Sequence, residues 1–172
     1  MGLFLPNRYH KTIFDINYNS LKIEGVKCII FDLDNTLGLL SHKTCPKEAK
    51  ELIQTLKKDF TIVISSNNTK KRIKPYLDEL GIDGVGFSLK PSIKGLMKIR
   101  RKYHLKKNEM CMIGDQMVTD ILSGNRYHIK TILVDPLGEK DLKITKFNRM
   151  LEEKIIKKYQ KKGVFERGKY YE

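Results

Sequence analysis

Val26-Lys27-Cys28-Ile29-Ile30-Phe31-Asp32-Leu33-Asp34-Asn35-Thr36 decides how this chain folds and points to one edge of it. Its first half is an apolar run of strand length. Its second half begins with two carboxylates one residue apart. Residues two apart in a strand project to the same side, so Asp32 and Asp34 leave the end of a buried strand together. Charges there repel each other and cannot be hidden in a core unless something cationic lies between them. A divalent metal and a phosphoryl group satisfy that arrangement, and little else does.

Outward from this stretch, strands and helices alternate. Short segments rich in Ile, Val, Phe or Met, without polar alternation, predict strands at 27–32, 60–65, 84–88, 110–114 and 131–135. That is the pattern of strands covered on both faces. Between them, 46–58 opens with Pro46 and repeats Ala49, Leu52, Ile53 and Leu56 at helical spacing. The segment 69–80 stops at Gly81, a helix terminator, and 92–103 and 119–127 supply two more helices. The order implies an α/β fold: a doubly wound, Rossmann-like parallel sheet of about five strands, helices on both faces and right-handed crossovers. Ligands of such sheets bind beyond the C-terminal strand ends.

The segment 141–162 carries Leu142, Ile144, Phe147, Leu151, Ile155, Ile156 and Tyr159 among many lysines. It reads as a basic amphipathic helix that packs on the sheet, with a membrane surface or a partner as the alternative. Residues 3–21 include Leu3, Phe4, Leu5, Ile13, Phe14 and Ile16, enough to pack but without a period. No repeat or low-complexity linker divides the chain. It is therefore read as a single domain over 1–172, with an N-terminal extension (1–26), a catalytic core (27–135) and a basic C-terminal helix and tail (140–172).

Composition sets the class. With 172 residues, 40% of them hydrophobic, the chain can bury a core without disulfide or metal staples. Its apolar runs are too short to give a transmembrane segment, and the first residues lack the features of a signal peptide. Gly2 invites comparison with a myristoylation motif, but Pro6 stands where that motif wants Ser or Thr. Cys28, Cys45 and Cys111 form no close pair and read as reduced thiols of a cytosolic protein. Of the formal charge of +14, much lies in 90–107, where Lys90, Lys94, Lys98, Arg100, Arg101, Lys102, Lys106 and Lys107 meet no acidic residue. Solvated lysine-rich faces explain part of this; an unbroken basic stretch also favours phosphates, nucleic acid or acidic lipid surfaces.

Polar residues recur at one predicted strand end after another: Asp32 and Asp34, then Ser65, Ser66 and Asn67, then Lys90-Pro91, then Gly114-Asp115 with Asp120 beyond. Each alone reads as a turn or a helix cap. Because parallel strands end on one edge, all four together converge on one crevice. Three carboxylates and a lysine form a hard-oxygen site suited to Mg²⁺ rather than to zinc. An aspartate there can attack phosphorus, a second can carry the proton, and hydroxyls, backbone N–H groups and a lysine can hold the phosphoryl oxygens.

Asp32-Leu33-Asp34-Asn35-Thr36-Leu37, Ser66-Asn67, Lys90-Pro91 and Gly114-Asp115 through Asp120 resemble, in order and spacing, the four motifs of the haloacid dehalogenase (HAD) superfamily. Aspartate at position 34 is similar to the phosphatase branch. The resemblance implies Asp32 as nucleophile and Asp34 as general acid/base. It implies phosphate binding by Thr36, Ser66, Asn67 and Lys90, and Mg²⁺ binding by Asp32, Asp34 through its backbone carbonyl, Asp115 and Asp120. HAD enzymes insert caps after the first motif or between the second and third. Here only about thirty residues separate Thr36 from Ser66, and about two dozen separate Ser66 from Lys90, which leaves room for no cap. An open site suits a phosphate presented by something large.

Leu5-Pro6, Ile13-Phe14-Asp15-Ile16 and the residues 21–25 leading into the first motif, with a short basic C-terminus, resemble the YqeG-type, type IIIA HAD phosphatases. These are similar to the mitochondrial phosphatidylglycerophosphate phosphatases, although the latter tend to carry Lys where this chain has Leu33. The implied activity is a Mg²⁺-dependent phosphomonoesterase working through an aspartyl-phosphate on phosphatidylglycerophosphate. Such a protein would be cytoplasmic and peripheral at the inner membrane face, touching anionic lipid. The alternatives are a soluble metabolite or nucleotide phosphatase, and a nucleic-acid- or ribosome-associated binding protein on a HAD fold.

Overall fold

The computed structural model describes residues 2–138 and 143–172, with only the backbone for 143–146. Six parallel strands make one sheet. In chain order they are β1 (Arg8–His10), β2 (Cys28–Phe31), β3 (Thr61–Ser65), β4 (Asp83–Val85), β5 (Met110–Gly114) and β6 (Lys130–Val134), arranged β1-β6-β5-β2-β3-β4. The helices are α1 (Tyr18–Ile23), α2 (Lys47–Leu56), α3 (Lys70–Leu80), α4 (Lys94–Lys102), α5 (Leu122–Tyr127) and α6 (Lys143–Lys161). Strand β2 is central: Cys28 lies opposite Thr61 and Met110, and Phe31 opposite Ile64 and Ile113.

The unbroken apolarity of β2 has a simple cause, because both of its faces are covered. Ile29 and Phe31 pack with Ile53 and Leu56 of α2 and with Ile73 and Tyr76 of α3. Cys28 and Ile30 pack on the other side with Leu96 and Ile99 of α4 and Tyr127 of α5. Each such side chain contributes roughly 1.5–3 kcal/mol by leaving water. All three cysteines are buried and free. Helix α3 begins where Thr69 accepts a hydrogen bond from the Arg72 N–H and ends at Gly81, which takes a left-handed φ of 60°. A cap of that kind is worth about 1 kcal/mol.

The sheet has one strand more than the sequence led us to expect. Arg8-Tyr9-His10 hides β1 because two of its three residues are polar. It is nonetheless buried, since Arg8 donates to Ser20 Oγ (2.7 Å) and pairs with Glu24 of the turn after α1. Thr131 N donates to Asn7 Oδ1 (2.8 Å), which docks the entry of β1 on β6. Strand β4 starts and ends earlier than predicted, and the helix expected over 119–127 opens with a π-helical turn at Met117–Ile121.

The C-terminal helix packs, but only in part. Ile156 is buried with Tyr9, Met117, Ile121, Leu133 and Phe165, and Ile155 and Tyr159 lie against that cluster. Phe147, Met150 and Leu151 stay 61%, 50% and 41% exposed, so the first half of the apolar stripe has no partner among the described residues. Positions 141 and 142 of the predicted helix and the side chain of Ile144 lie outside the described residues.

Candidate active site

Four strand ends build a crevice along the C-terminal edge of the sheet. Asp32 extends β2 by one residue, its N–H donating to Ile113 O (2.8 Å). The chain then turns at Asn35, whose φ of 65° is left-handed, a conformation that Asn tolerates better than most residues. The turn delivers Thr36 Oγ1 to Asp115 Oδ1 at 3.2 Å. It also separates the two carboxylates that left the strand together. Asp32 goes inward. Asp34 goes to the rim, where Arg72 holds it (Nη2 2.7 Å, Nε 3.1 Å) together with Asn68 Nδ2 (3.2 Å).

Lys90 occupies the centre. Its ammonium lies 2.6 Å from Asp32 Oδ1, Ser65 O and Asp120 Oδ1, donating to the first two and forming an ion pair with the third. The loop that carries it is laid across β3: Ser88 N donates to Ser66 O (3.0 Å) and Phe87 N to Asn68 O (2.9 Å). Asn67 completes the seat, accepting from Lys90 N (2.7 Å) and Ser88 Oγ (2.9 Å) and donating to Lys90 O (2.9 Å).

Asp115 and Asp120 come from the end of β5 and the π turn. Gln116 N donates to Asp120 Oδ2 (3.1 Å), which folds Asp120 back over Gly114. A Cβ at position 114 would lie 2.4 Å from the Asp120 carboxyl, so only glycine fits there. π turns recur at functional sites, and this one aims a carboxylate that a regular helix would carry elsewhere.

The electrostatics are those of carboxylates in excess. Asp32, Asp115 and Asp120 are buried, with one oxygen from each within 4.8 Å of the others. One buried ammonium faces them. Burial pushes Asp32 well above the usual carboxylate range, against the pull of Lys90 and with the help of Asp120 and Asp115. Burial likewise carries Asp115 up to about 7, opposed by Arg149 and reinforced by Asp120. Burial alone would depress Lys90, but Asp120 and Asp32 outweigh it and hold the ammonium above its ordinary value. A cluster this short of positive charge, with oxygen donors only, fits a hard divalent cation.

Every candidate residue from the sequence lies at this edge, with different surroundings. Lys90 touches Asp32 and Asp120, Thr36 touches Asp115, and the three carboxylates lie together. Ser66 is buried at the end of β3, its Oγ accepting from Asn68 N (3.1 Å). Ser65 turns its hydroxyl towards Gly95 of α4, the opposite face, as strand alternation requires. The Asn67 side chain is directed to the Ser88–Lys90 loop, and the Asp34 carboxylate stands apart with Arg72.

Four further residues carry no signal in the sequence. Arg72 bonds Asp34 and also the carbonyls of Leu39 and His42, pinning the segment 33–45. Asn68 does the same for Asp34. From α6, Arg149 donates to both the carbonyl and the carboxylate of Asp115. Glu152, 1% exposed, accepts from Met117 N (3.2 Å), Arg149 (3.2 Å) and Arg167 (3.3 Å). Three cations of the basic stretch 90–107 are engaged within the fold: Lys90 is turned inward, Lys102 pairs with Asp83, and Lys107 sits over the Tyr127 ring.

Comparisons with known proteins agree with this geometry. A family model described as haloacid dehalogenase-like hydrolase matches residues 29–90, and a HAD-hydrolase-like model matches 89–143. The probable phosphatase YqeG of Bacillus subtilis (strain 168) is 38% identical over 161 residues, covering 93% of this chain and 94% of that protein. Phosphatidylglycerophosphate phosphatase 1 (chloroplastic/mitochondrial) of Arabidopsis thaliana is 27% identical over 171 residues, and the chain spans 49% of its length. Among solved structures, the cobalt-bound deoxy-D-mannose-octulosonate 8-phosphate phosphatase (YrbI) of Haemophilus influenzae shares the fold. Its TM-score is 0.52 at 17% identity, over 84% of this chain and 95% of that one. No helix among the described residues is long and apolar enough to cross a membrane.

Proposed function

The chain belongs to the haloacid dehalogenase-like hydrolases and is a phosphatase, and from that premise we propose that it dephosphorylates phosphatidylglycerophosphate through an aspartyl-phosphate on Asp32. The observation that carries the mechanism is the separation of the two motif carboxylates. Asp32 lies against the ammonium of Lys90, and Asp34 stands at the rim, clear of the buried cluster. On this reading the first attacks and the second meets the leaving group.

In this reading Lys90 fixes Asp32 Oδ1 and leaves Oδ2 to attack phosphorus. As the new Oδ2–P bond forms, the P–O bond to the substrate alcohol breaks and Asp34 gives that oxygen its proton. A water then attacks the aspartyl-phosphate, Asp34 takes its proton, and inorganic phosphate leaves with Asp32 restored. Thr36, Ser66 and backbone N–H groups hold the phosphoryl oxygens. Asn67 serves phosphate binding by seating the Lys90 loop. Asp32, Asp115 and the Asp34 carbonyl would hold Mg²⁺, with Asp120 supporting it. The ion, when bound, neutralises the phosphoryl charge and the excess of carboxylates.

The lipid substrate is supported by the plant relative's name and by access. Between β2 and α2 runs only the segment that Arg72 pins, and between β3 and β4 only α3. We read the protein as a capless single domain whose crevice opens to a phosphate on a large body. With a lipid substrate, its work would lie in the cytoplasm, peripheral to the inner membrane face. Phosphate release from phosphatidylglycerophosphate vesicles with Mg²⁺ tests the substrate. Turnover confined to soluble sugar or nucleotide phosphates would overturn it, and unimpaired p-nitrophenyl phosphate hydrolysis by Asp32→Asn would overturn the mechanism.

A further inference from the structure

Asp115 and the π turn that carries Asp120 are both tied to one buried acid on α6, Glu152. It is 1% exposed, and a carboxylate out of water is tolerated only with partners. Three are in place. Glu152 Oε2 accepts from Arg149 Nη1 (3.2 Å), and Oε1 accepts from Met117 N (3.2 Å) and Arg167 Nη2 (3.3 Å). Arg149 and Glu152 stand three residues apart, so both lie on one face of the helix. Ile156, four residues further on, is buried on that face.

Two of those partners lead to the carboxylate cluster by separate routes. Through Arg149 the route reaches Asp115, whose carbonyl accepts from Nη1 at 2.9 Å and whose Oδ2 accepts from Nη2. With Oδ2 held there, Oδ1 is left beside Thr36. Through Met117 the route reaches Asp120. Met117 N belongs to the first residue of the π turn, where a helix offers an N–H no partner of its own. Its neighbour Gln116 donates to Asp120 Oδ2 (3.1 Å). Asn148 of α6 touches the same Gln116, donating to Oε1 at 3.4 Å.

The helix and the tail both have other anchors, so holding them in place does not account for a buried acid. Helix α6 packs through Ile155, Ile156 and Tyr159. In the tail, Gly168 N donates to Tyr9 Oη (3.1 Å), Tyr170 Oη donates to Asp135 Oδ2 (2.7 Å), and Tyr171 pairs with Tyr9. Charge gives Glu152 a role of its own. A guanidinium pressed against the ligand of a dication repels that ion. A carboxylate behind the guanidinium offsets the repulsion, and Arg149 can then orient Asp115 without opposing the metal. Groups that stand behind the ligands tune metal affinity in this way.

We propose that Glu152 is a positioning residue of the metal site, holding Asp115 through Arg149 and the π turn of Asp120 through Met117 while it matches the guanidinium charge. This role rests on the Mg²⁺ site read above and on no particular substrate. Glu152→Gln keeps the shape and one acceptor oxygen but removes the charge. In calorimetric titration of the full-length protein it should raise the Mg²⁺ Kd about tenfold or more. The rise in melting temperature at one fixed Mg²⁺ concentration should shrink accordingly. Hydrolysis of p-nitrophenyl phosphate at saturating Mg²⁺ should fall by a smaller factor than the affinity does. An unchanged Kd, with the metal-free and Mg²⁺-loaded melting temperatures lowered alike, makes Glu152 a helix anchor and overturns the proposal. Should Glu152→Gln fail to fold, Arg167→Met decides, because that side chain is 38% exposed and meets Glu152 from the tail. A raised Kd there supports the chain of contacts, and an unchanged one overturns it. No Mg²⁺ uptake by the unsubstituted protein overturns the role of Glu152 and the metal site together.

Discussion

Two cations reach the buried carboxylates of the crevice from different parts of the chain. Lys90 comes from the loop between β4 and α4, is 3% exposed, and lies between Asp32, Asp120 and the Ser65 carbonyl in the core. Arg149 comes from α6, is 18% exposed, and divides itself between Asp115 and Glu152. The first is built into the sheet. The second is a clamp brought by a helix that packs through few apolar contacts. The sheet end of the crevice therefore has one arrangement, whereas the Asp115 end depends on whether α6 is seated.

The comparison breaks most visibly at Asp32. Asp32→Asn should cost roughly 10⁴-fold or more in phosphatase turnover with the fold intact by circular dichroism. Lys90→Met should rank next. It strands Asp32 and Asp120 without their ammonium, and denaturant unfolding in chelator should read a loss of about 3–5 kcal/mol. Arg149→Met should be milder, raising the Mg²⁺ concentration for half-maximal activity about 10–100-fold, with Arg149→Lys recovering part of it. If Arg149→Met destabilised the protein as much as Lys90→Met, the two ends would be equivalent and the clamp picture wrong.

The smallest effect is one of pH. Folding raises the Asp115 carboxyl to about 7, from about 4 in an unfolded chain. The metal-free fold thus takes up protons and loses stability as pH rises through that window. Mg²⁺ replaces the proton, so its upward shift of the melting temperature should be larger at pH 8 than at pH 5.5. An equal shift at both would place the ion away from Asp115.

The sheet end was legible in the sequence because strand cores advertise themselves by unbroken apolarity and polar residues follow where the run stops. Asp32, Ser66 and Asp115 are each found that way, whereas Lys90 lies five residues beyond the end of β4. Asp120 needed more, since only the π turn brings it back over Gly114. The Asp115 end was not legible. Arg149 and Glu152 lie in a helix crowded with Lys and Glu, where a buried pair looks the same as a solvated one. Arg72 is concealed likewise among Lys70, Lys71 and Lys74. The charge of the stretch 90–107 is contiguous in sequence, yet Lys90 is buried at one edge while Lys102 and Lys107 are engaged elsewhere. Strand β1 escaped because Arg8 is buried by its partners Ser20 and Glu24 rather than by hydropathy.

Both outer strands, β1 and β4, are only three residues long. The open flank of β1 is occupied by Tyr171, which exchanges two backbone hydrogen bonds with Tyr9 (2.8 and 2.9 Å). Unpaired strand edges recruit further strands, a hazard that grows when molecules are crowded. The short strands, and Tyr171 on the flank of β1, leave those edges little for a second chain to pair with.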